Sequence, residues 1–520
     1  MKYARIFVIL QPIYEKCVVN FATMFRQNEI QDEIFRRRDM RDIFTFTIDP
    51  ADAKDFDDAI SFQIIKCPND EINDQMVNDQ MVNDQMVNYQ IGVHIADVSF
   101  YVKPGTQVDD DAYKRGTSVY LMDRVIPMLP EELCNDKCSL RPDEDKLCMS
   151  VVFTMDSHAR VLKYKICRTV IRSNARLNYD EAQAIIAANQ TNETESRQNR
   201  DGGKSEVERH LVDAIRTLNN LAAQLRAERI ANGALTIEQE EMRFHLDEHG
   251  HPTDIYFEQP NEAHHLIEEF MLLANRTVAK AVGSGRPFVY RVHDLPNGEK
   301  LEAVETFKKK MKGDKSKAKG DSIQRAIDML IIRAQAKAVY STYNIGHYGL
   351  AFSHYTHFTS PIRRYPDLMV HRLVEKYILT GKKESMTREE LEEKCEHCSA
   401  CEQEAVQAER DSIKQFQAMW ISDHLNEIFT GHISGVTDFG LFVQLDESRC
   451  EGLVHISTIG EQGEYWQYDE KNYRLVCENS LKAKSQKPTA KSYTLGDPVR
   501  VKVVRADINR AQIDFEIVNM

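Results

Sequence analysis

A cluster of aspartates follows a strand-like segment near the start of the chain. Apolar residues alternate over positions 43–48, which predicts a strand, and Asp49-Pro50 ends it. Neighbouring carboxylates raise the cost of ionising one another, so a folded protein holds them most easily around a divalent cation. The candidate ligands are Asp49, Asp55, Asp57 and Asp58. Oxygen ligands without a nearby His or Cys favour Mg²⁺, with Mn²⁺ as a substitute.

Two other interpretations of this acidic run stay open from the residues alone. One is a solvated acidic loop, and the other is a calcium loop. An EF-hand needs Gly at its sixth position and Glu at its twelfth, and neither falls in place here. A carboxylate-held metal at the end of a strand is suited to phosphoester chemistry.

A second candidate is the segment 357–367, in which Pro361 predicts a turn followed by Arg363 and Arg364. The planar guanidinium fork matches phosphate oxygens, so these residues can neutralise charge that develops on a phosphate. The alternative is an exposed basic turn. The acidic cluster elsewhere in the chain favours the functional interpretation.

Aromatic residues supply candidate contacts to bases. Tyr120, in the segment 115–120, can stack on a base, although a single tyrosine is more often part of a core. Phe439, Phe442 and His455 lie at strand-like positions near the C-terminus. Aromatic residues on a small barrel form a platform for single strands, and the alternative is that the phenylalanines are buried.

The spacing of Cys395, His397, Cys398 and Cys401 is similar to that of a zinc site. The segment 386–425 is predicted to be one long charged helix, however. Four tetrahedral ligands from one straight helix are awkward, because structural zinc sites usually draw on two segments. Zinc is therefore disfavoured.

The bulk composition predicts a soluble protein with more than one domain. The chain has 520 residues, of which 42% are apolar and 28% charged, and its net charge is −14. The acidic balance argues weakly against a nucleic-acid partner, although it does not fix the charge of a single cleft. Eleven irregularly spaced cysteines indicate reduced thiols and a cytoplasmic location. The apolar stretch 6–10 is interrupted too soon to be a signal peptide or a membrane span.

Periodicity places the remaining elements. Strands are predicted at 59–65 and 89–96, and between them the pentapeptide NDQMV occurs three times over 73–87, which indicates an expanded loop. Helices are predicted at 205–230 and 262–283, and a strand within 234–246. The lysine-rich stretch 308–319 is predicted to be a solvated loop that can touch phosphates. Evenly spaced short strands after residue 428 predict a small barrel, interrupted by a disordered insertion at 482–491.

Several of these motifs together resemble the RNB exoribonuclease family. They are the acidic segment 49–59, Gly92-Val-His-Ile-Ala-Asp-Val98, Cys138-Ser-Leu-Arg141 and the segment 357–367. Within that family the chain is similar to the ribonuclease R and ribonuclease II group, and residues 428–518 resemble an S1 RNA-binding domain. The resemblance implies an α+β fold, with a mixed sheet and surrounding helices in the catalytic domain, followed by an OB-fold barrel. The expected organisation is a leader at 1–28, the RNB domain at 29–385, a helical connection at 386–426 and the S1 domain at 427–520.

The resemblance also implies an activity and a set of site residues. The expected activity is processive 3′→5′ hydrolysis of single-stranded RNA, or RNA with a 3′ overhang, to 5′-nucleoside monophosphates with Mg²⁺. Asp49, Asp55, Asp57 and Asp58 match the metal-site carboxylates, Asp57 and Arg363 the catalytic residues, and Tyr120 the tyrosine near the 3′-terminal nucleotide. Arg364, Phe439, Phe442 and His455 are further expected RNA contacts. A monomer is expected, with ribosomes or RNA-decay factors as possible partners.

Three departures from the family pattern support an alternative function. The two cold-shock barrels of full-length members are not found in the sequence, the pentapeptide insertion interrupts strands beside the site, and Ile237 falls where a second clamping aromatic is expected. The alternative is a catalytically impaired RNA-binding protein. The four aspartates and Arg363 are intact, which favours the enzyme.

Overall fold

A computed structural model describes residues 27–66, 87–190, 206–236, 240–313, 321–381, 386–460, 464–477 and 491–518. Within these ranges the chain forms a mixed α/β region followed by a small β-barrel, and one long helix connects them. The pentapeptide repeats up to residue 86, residue 237 and nearly all of the insertion at 482–491 lie outside the described residues. No helix in the described ranges is both long and apolar enough to cross a membrane.

The first region is built on a seven-stranded mixed sheet. Its strands are β1 (Arg38–Asp39), β2 (Thr45–Asp49), β3 (Asp58–Lys66), β4 (Val87–Ala96), β7 (Asp145–Asp156), β8 (Val161–Arg172) and β9 (Ala175–Asn178). Their spatial order is β1-β8-β7-β4-β3-β2-β9, with β1 parallel to β8 and β9 parallel to β2. A short hairpin, β5 (Val119–Tyr120) and β6 (Val125–Ile126), lies outside this sheet. The predicted strands at 43–48, 59–65 and 89–96 are present, each within about two residues of the expected limits.

Helices surround the sheet. They are α1 (Gln27–Arg36), α2 (Val98–Tyr101), α3 (Gln107–Arg115), α4 (Tyr179–Gln190), α5 (Glu206–Ala231), α6 (Glu262–Gly283), α7 (Gly298–Gly313), α8 (Asp321–Ala334) and α9 (Tyr365–Val374). The helices predicted at 205–230 and 262–283 are therefore confirmed. An Asn261 capping box starts α6, in which Asn261 and His264 satisfy each other's backbone N–H groups.

Two antiparallel strand pairs accompany these helices. One is the hairpin of β10 (Glu241–Leu246) and β11 (Pro252–Glu258), and the other joins β12 (Tyr290–Val292) to β13 (Val339–Ser341) across α7 and α8. The strand expected within 234–246 begins only at Glu241, and residues 234–236 are irregular. The lysine-rich stretch was expected to be a loop, but positions 308–313 continue α7, and residues 314–319 lie outside the described ranges.

The C-terminal region follows the long helix α10 (Arg388–Ser422), which starts with a capping box at Thr387. A closed barrel forms from β14 (Ile428–Thr437), β15 (Gly440–Leu445), β16 (Glu451–His455), β20 (Pro498–Asp507) and β21 (Gln512–Ile517). A small side sheet contains β17 (Trp466–Asp469), β18 (Arg474–Cys477) and β19 (Ser492–Thr494). The predicted long helix and small barrel are confirmed.

Two apolar cores stabilise the described structure. The larger fills the space between the sheet and helices such as α5, α6 and α9. The second lies inside the barrel and includes Val304 and Phe307 of α7, Ile327 of α8 and Ile421 of α10. The α7–α8 pair therefore packs on the barrel, and α10 contributes to both cores, with Cys395 in the larger and Ile421 in the second.

Candidate active site

The aspartate cluster lies where β2 ends and β3 begins. Asp49 is the last residue of β2 and Asp58 is the first of β3, while Asp55 and Asp57 lie in the loop between them. The register pairs Asp58 with Ile95 in β4. The four carboxylates therefore share one edge of the central sheet.

A serine holds the acidic loop in place. The Ser139 hydroxyl accepts a hydrogen bond from the Phe56 N–H at 3.0 Å and donates one to the Lys54 carbonyl at 2.9 Å. The Leu140 N–H donates to the Phe56 carbonyl at 3.0 Å. These three hydrogen bonds, all to residues 54–56, fix the loop and leave the aspartate carboxylates free of this task.

The environment of the cluster opposes ionisation. Burial raises the pKa of Asp49 and of Asp57 to about 7, and it raises the pKa of Asp55 and, more strongly, that of Asp58. Repulsion from Asp49 and Asp57 adds to the rise at Asp58, whereas the Arg363 guanidinium opposes it. A divalent cation would reverse this balance, because it compensates several carboxylates at once.

The donor set fits a hard divalent cation. Asp49 Oδ2 is buried and has no hydrogen-bond partner, so a buried anionic oxygen is left for an external ligand. Carboxylate oxygens are the ligands that Mg²⁺ and Mn²⁺ prefer. Among the described residues no group of three or more His, Cys, Asp or Glu side chains is placed to hold a metal ion as it stands, so these carboxylates would have to move closer together to bind one.

Arg363 lies beside the acidic cluster. Its Nε is 3.4 Å from Asp57 Oδ2, and Asp57 Oδ1 accepts a hydrogen bond from the Ile362 N–H at 2.9 Å. The Arg363 side chain is 45% exposed, so its guanidinium can reach a ligand while it stays next to Asp57. Asp57 therefore links the acidic loop to the arginine turn.

Arg364 lies in a different setting from its neighbour. Its Nε and Nη2 donate to the two carboxylate oxygens of Asp367 at 2.9 and 2.8 Å, and Asp367 also accepts from the Ser360 N–H at 2.8 Å. Asp367 is fully buried. This bidentate pair stabilises the turn that carries Arg363, so the contacts of Arg364 are structural in this conformation.

Tyr120 reaches the site through backbone pairing. The Ser118 N–H donates to the Arg363 carbonyl at 2.9 Å, and the Tyr365 N–H donates to the Gly116 carbonyl at 2.9 Å. The Tyr120 side chain is 38% exposed and is therefore not a core residue. Partial burial raises the pKa of Tyr120 to about 12, and the nearby Arg363 guanidinium opposes this rise.

The candidate residues of the barrel separate into two groups. Phe439 is 46% exposed, and its ring lies 6.0 Å from the half-buried Phe442 ring in an edge-on arrangement. Both line a cavity of about 470 Å³ between the barrel and α10, together with Lys414. His455 does not line this cavity. Its Nδ1 accepts a hydrogen bond from the Ser457 N–H in the turn after β16.

Sequence reasoning did not single out Tyr179, which starts α4. The charges of Asp58 and Asp49 reinforce the rise that burial causes in its pKa, and its ring stacks on His264 at 3.8 Å. Strand β9 is parallel to β2 and pairs Asn178 with Asp49, so Tyr179 follows the same sheet edge. The sequence does show a tyrosine directly after a predicted strand. That position indicates a site residue only once β9 and β2 are known to be neighbours in the sheet.

The cysteine-rich part of α10 packs against the first region. Cys395 and Cys398 are buried in the larger core, and burial raises the pKa of both thiols. His397 Nε2 lies 2.8 Å from the Tyr113 carbonyl, to which it donates. Core packing therefore accounts for this spacing.

The chain belongs to the RNB family of exoribonucleases. The RNB domain model matches residues 37–380, and the S1 RNA binding domain model matches residues 422–518. The seven-stranded mixed sheet, its helices and the closed barrel agree with the fold expected from the sequence. Members of this family generally depend on a divalent metal ion.

Similar proteins carry the name ribonuclease R. The chain is 38% identical to Ribonuclease R of Aquifex aeolicus, over 97% of this chain and 68% of that protein. It is 34% identical to Ribonuclease R of Escherichia coli over 93% of this chain, but covers only 57% of that relative. The structure of Mycoplasma genitalium RNase R in complex with ribose methylated single-stranded RNA aligns with a TM-score of 0.79 and 26% identity, over 95% of this chain and 73% of the other.

Proposed function

We propose that this chain is a processive 3′→5′ exoribonuclease that hydrolyses single-stranded RNA to 5′-nucleoside monophosphates with Mg²⁺. The observation that carries the proposal is the position of Arg363, 3.4 Å from Asp57, at the edge of a cluster of four carboxylates, of which those of Asp49 and Asp57 are buried. This arrangement places a phosphate-binding cation next to a set of metal ligands. The name of the solved relative, a complex with single-stranded RNA, supports the choice of substrate.

Each site residue has a distinct task in the proposed reaction. Asp49, Asp55, Asp57 and Asp58 would hold two Mg²⁺ ions, which activate water and neutralise the phosphate when bound. Arg363 binds a non-bridging oxygen of the scissile phosphate and stabilises the charge that develops there. Tyr120 stacks on a terminal base, a contact that does not depend on base identity.

Further RNA contacts and the setting are part of the same proposal. Phe439 and Phe442 bind upstream bases on the barrel, with His455 at its rim, while Arg364 supports the turn below the scissile phosphate. The protein acts as a monomer, as the resemblance to the family implies. It acts in the cytoplasm, as its eleven cysteines suggest, and the nine cysteines in the described ranges are free thiols.

A time course on a 5′-labelled single-stranded RNA tests the activity. With Mg²⁺ we expect conversion to one short end product without a ladder of intermediates, and with EDTA no conversion. Asp57→Asn should lower the rate by at least about 10³-fold, because removing a group that stabilises the transition state typically costs that much. RNA binding by this variant, measured by fluorescence anisotropy, should change less than about threefold.

Two results would contradict the proposal. Equal nucleotide release by wild type and Asp57→Asn would remove the acidic cluster from catalysis. Tight binding of an RNA that stays uncut in Mg²⁺ and in Mn²⁺ would favour a catalytically impaired RNA-binding protein. The first variant to make would then replace Ile237 with the aromatic residue expected at that position.

A further inference from the structure

A second cavity, of about 690 Å³, lies far from the acidic cluster. Residues 161–164 of β8, residues 351–354 of a loop, and Leu273, Arg276, Thr277 and Lys280 of α6 line it. We call it the Tyr164 groove. Its size is within the range of ligand-binding sites.

The charge of the Tyr164 groove differs from that of the whole chain. Its lining contains Lys163, Arg276, Lys280 and His354 and no carboxylate, in a protein whose net charge is −14. Within the part of the chain that the structure describes, Lys163, Arg276 and Lys280 form no ion pair. Three cations without counterions attract a polyanion, because neighbouring carboxylates do not offset their field.

Apolar side chains line the groove together with these cations. Tyr164 is 46% exposed and Leu162 is 55% exposed, both on β8. The Arg276 guanidinium lies 5.6 Å from the centre of the half-buried Phe352 ring. An exposed ring close to Lys and Arg side chains is a combination that binds single-stranded nucleic acid, since a base stacks on the ring while phosphates meet the cations.

The position of β8 in the sheet explains part of the exposure. β8 pairs with β7 along most of its length, but its other neighbour, β1, covers only Thr169 and Val170. Lysine on such an open edge commonly prevents edge-to-edge aggregation, and this accounts for Lys163. It does not account for Arg276 and Lys280, which extend from a helix on the other side of the groove.

The sheet register gives the distance from the groove to the acidic cluster. Asp58 starts β3, and Tyr164 pairs through Phe153 and Ile91 with Phe62, four positions further along that strand. Four residues at about 3.3 Å and three strand spacings at about 4.8 Å place the groove roughly 20 Å from Asp58. An RNA held at its 3′ end by the acidic cluster could extend this far.

We infer that the Tyr164 groove is a second binding site for single-stranded RNA, which holds substrate upstream of the nucleotides in the catalytic site. The inference rests on the proposed function for the identity of the ligand, and on charge and exposed rings for the site. The groove adds affinity for long RNA and none for RNA that is too short to reach it.

Charge reversal at the groove tests the inference. In the triple variant Lys163→Glu, Arg276→Glu, Lys280→Glu, we expect a 30-nucleotide unstructured RNA to bind at least about tenfold more weakly in EDTA. The slope of log Kd against log salt should become shallower by about 2, because each phosphate contact to a single strand contributes about 0.7. Hydrolysis of a trinucleotide in Mg²⁺, whose two internucleotide steps are too short to reach from the catalytic site to the groove, should stay within twofold.

A control variant carries the same change of net charge at other exposed positions. Arg36→Glu, Arg209→Glu, Lys300→Glu reverses three basic residues on α1, α5 and α7, outside the groove. Tyr164→Ala, which leaves the charge unchanged, should by itself weaken binding of the long RNA about tenfold.

The outcomes separate the inference from the proposed function. Equal loss of RNA affinity in the groove variant and the charge control, or no loss in the groove variant, would overturn the second RNA site. An acidic protein would then be the remaining candidate ligand of the groove. Loss confined to the groove variants supports the site. If wild type binds RNA but hydrolyses neither substrate, the proposed function fails while the binding comparison still decides the groove.

Discussion

The aspartates between β2 and β3 lie in an environment that opposes their own ionisation. The pKa of Asp49 and of Asp57 is raised to about 7, and burial is the largest cause in both. An unfolded aspartate titrates near 3.9, so between about pH 4 and pH 7 the folded chain binds more protons than the unfolded chain. Without a bound cation, the cluster therefore costs stability that increases as the pH rises through this window.

Asp49→Asn should make the metal-free protein more stable at pH 8. Its Oδ2 has no hydrogen-bond partner, so the amide removes a buried charge without breaking a bond at that atom. We expect a gain on the order of 2 kcal/mol at pH 8 in EDTA, and a smaller gain at pH 5, where the native carboxyl is already protonated. Thermal unfolding at both pH values measures the difference.

The control for this prediction is Asp52→Asn. Asp52 lies in the same loop but is exposed, so its replacement should change stability little at either pH. Mg²⁺ should raise the unfolding temperature of wild type and of Asp52→Asn more than that of Asp49→Asn. A stability gain at pH 5 as large as that at pH 8 would show that the Asp49 charge is not the cause.

Tyr120→Ala should change the length of the last RNA fragment that the enzyme leaves. Stacking of a base on an aromatic ring contributes about 1–3 kcal/mol, so without the ring a short RNA dissociates before its final cleavage. We expect a longer end product on a sequencing gel. Tyr120→Phe keeps the ring face and should leave the wild-type product, whereas an unchanged product in Tyr120→Ala would remove Tyr120 from the site.

At the scale of elements, the site depends on one pairing between distant segments. Residues 116–118 bond to residues 363–365, and this contact holds Tyr120 beside Arg363. Gly116 ends α3 with φ 67°, and a Cβ at this position would lie 2.6 Å from the Cys401 Cβ of α10. Helix α10 therefore braces the segment from behind.

Gly116→Ala should displace this segment and impair both stability and activity. The clash should lower the free energy of unfolding by about 1–3 kcal/mol, in addition to the effect of backbone strain at positive φ, because overpacking a well-packed contact typically costs that much. Gly105→Ala is the matched control, since Gly105 has φ 77° and a Cβ there would meet nothing within 4 Å. Thermal unfolding and hydrolysis of a tetranucleotide compare the two variants.

An equal effect of the two substitutions would contradict the bracing role of α10. The double variant Gly116→Ala, Cys401→Gly removes the contacted Cβ and Sγ. It should recover most of the lost hydrolysis if the clash, rather than the backbone strain, displaces Tyr120.

The elements that sequence could predict are those with a local signal. Alternation over 43–48 gives β2, and helical spacing over 262–283 gives α6 within one residue. The pairing of residues 116–118 with 363–365 has no local signal, because backbone hydrogen bonds between distant segments leave no period in either one. The same reason hid the role of Ser139, whose hydroxyl acts on a loop more than 80 residues away.

At the scale of the whole molecule, the net charge of the chain does not describe the local charge of its sites. The net charge of −14 includes an acidic cluster that needs cations, while the Tyr164 groove contains cations and no carboxylate. The weak argument against a nucleic-acid partner therefore does not hold, since the S1 RNA binding domain model matches residues 422–518. Average charge describes solubility better than it describes a binding surface.

The barrel core includes side chains of α7, α8 and α10, so the barrel packs against these helices. Phe439→Ala should weaken binding of a 30-nucleotide RNA about tenfold, because Phe439 is an exposed ring above the cavity shared with α10. Val504→Ala is the control, since Val504 is 53% exposed on β20 and does not line that cavity. Tetranucleotide hydrolysis should be unchanged in both variants, and a fall in this rate with Phe439→Ala would mean that the barrel shapes the catalytic site rather than capturing upstream RNA.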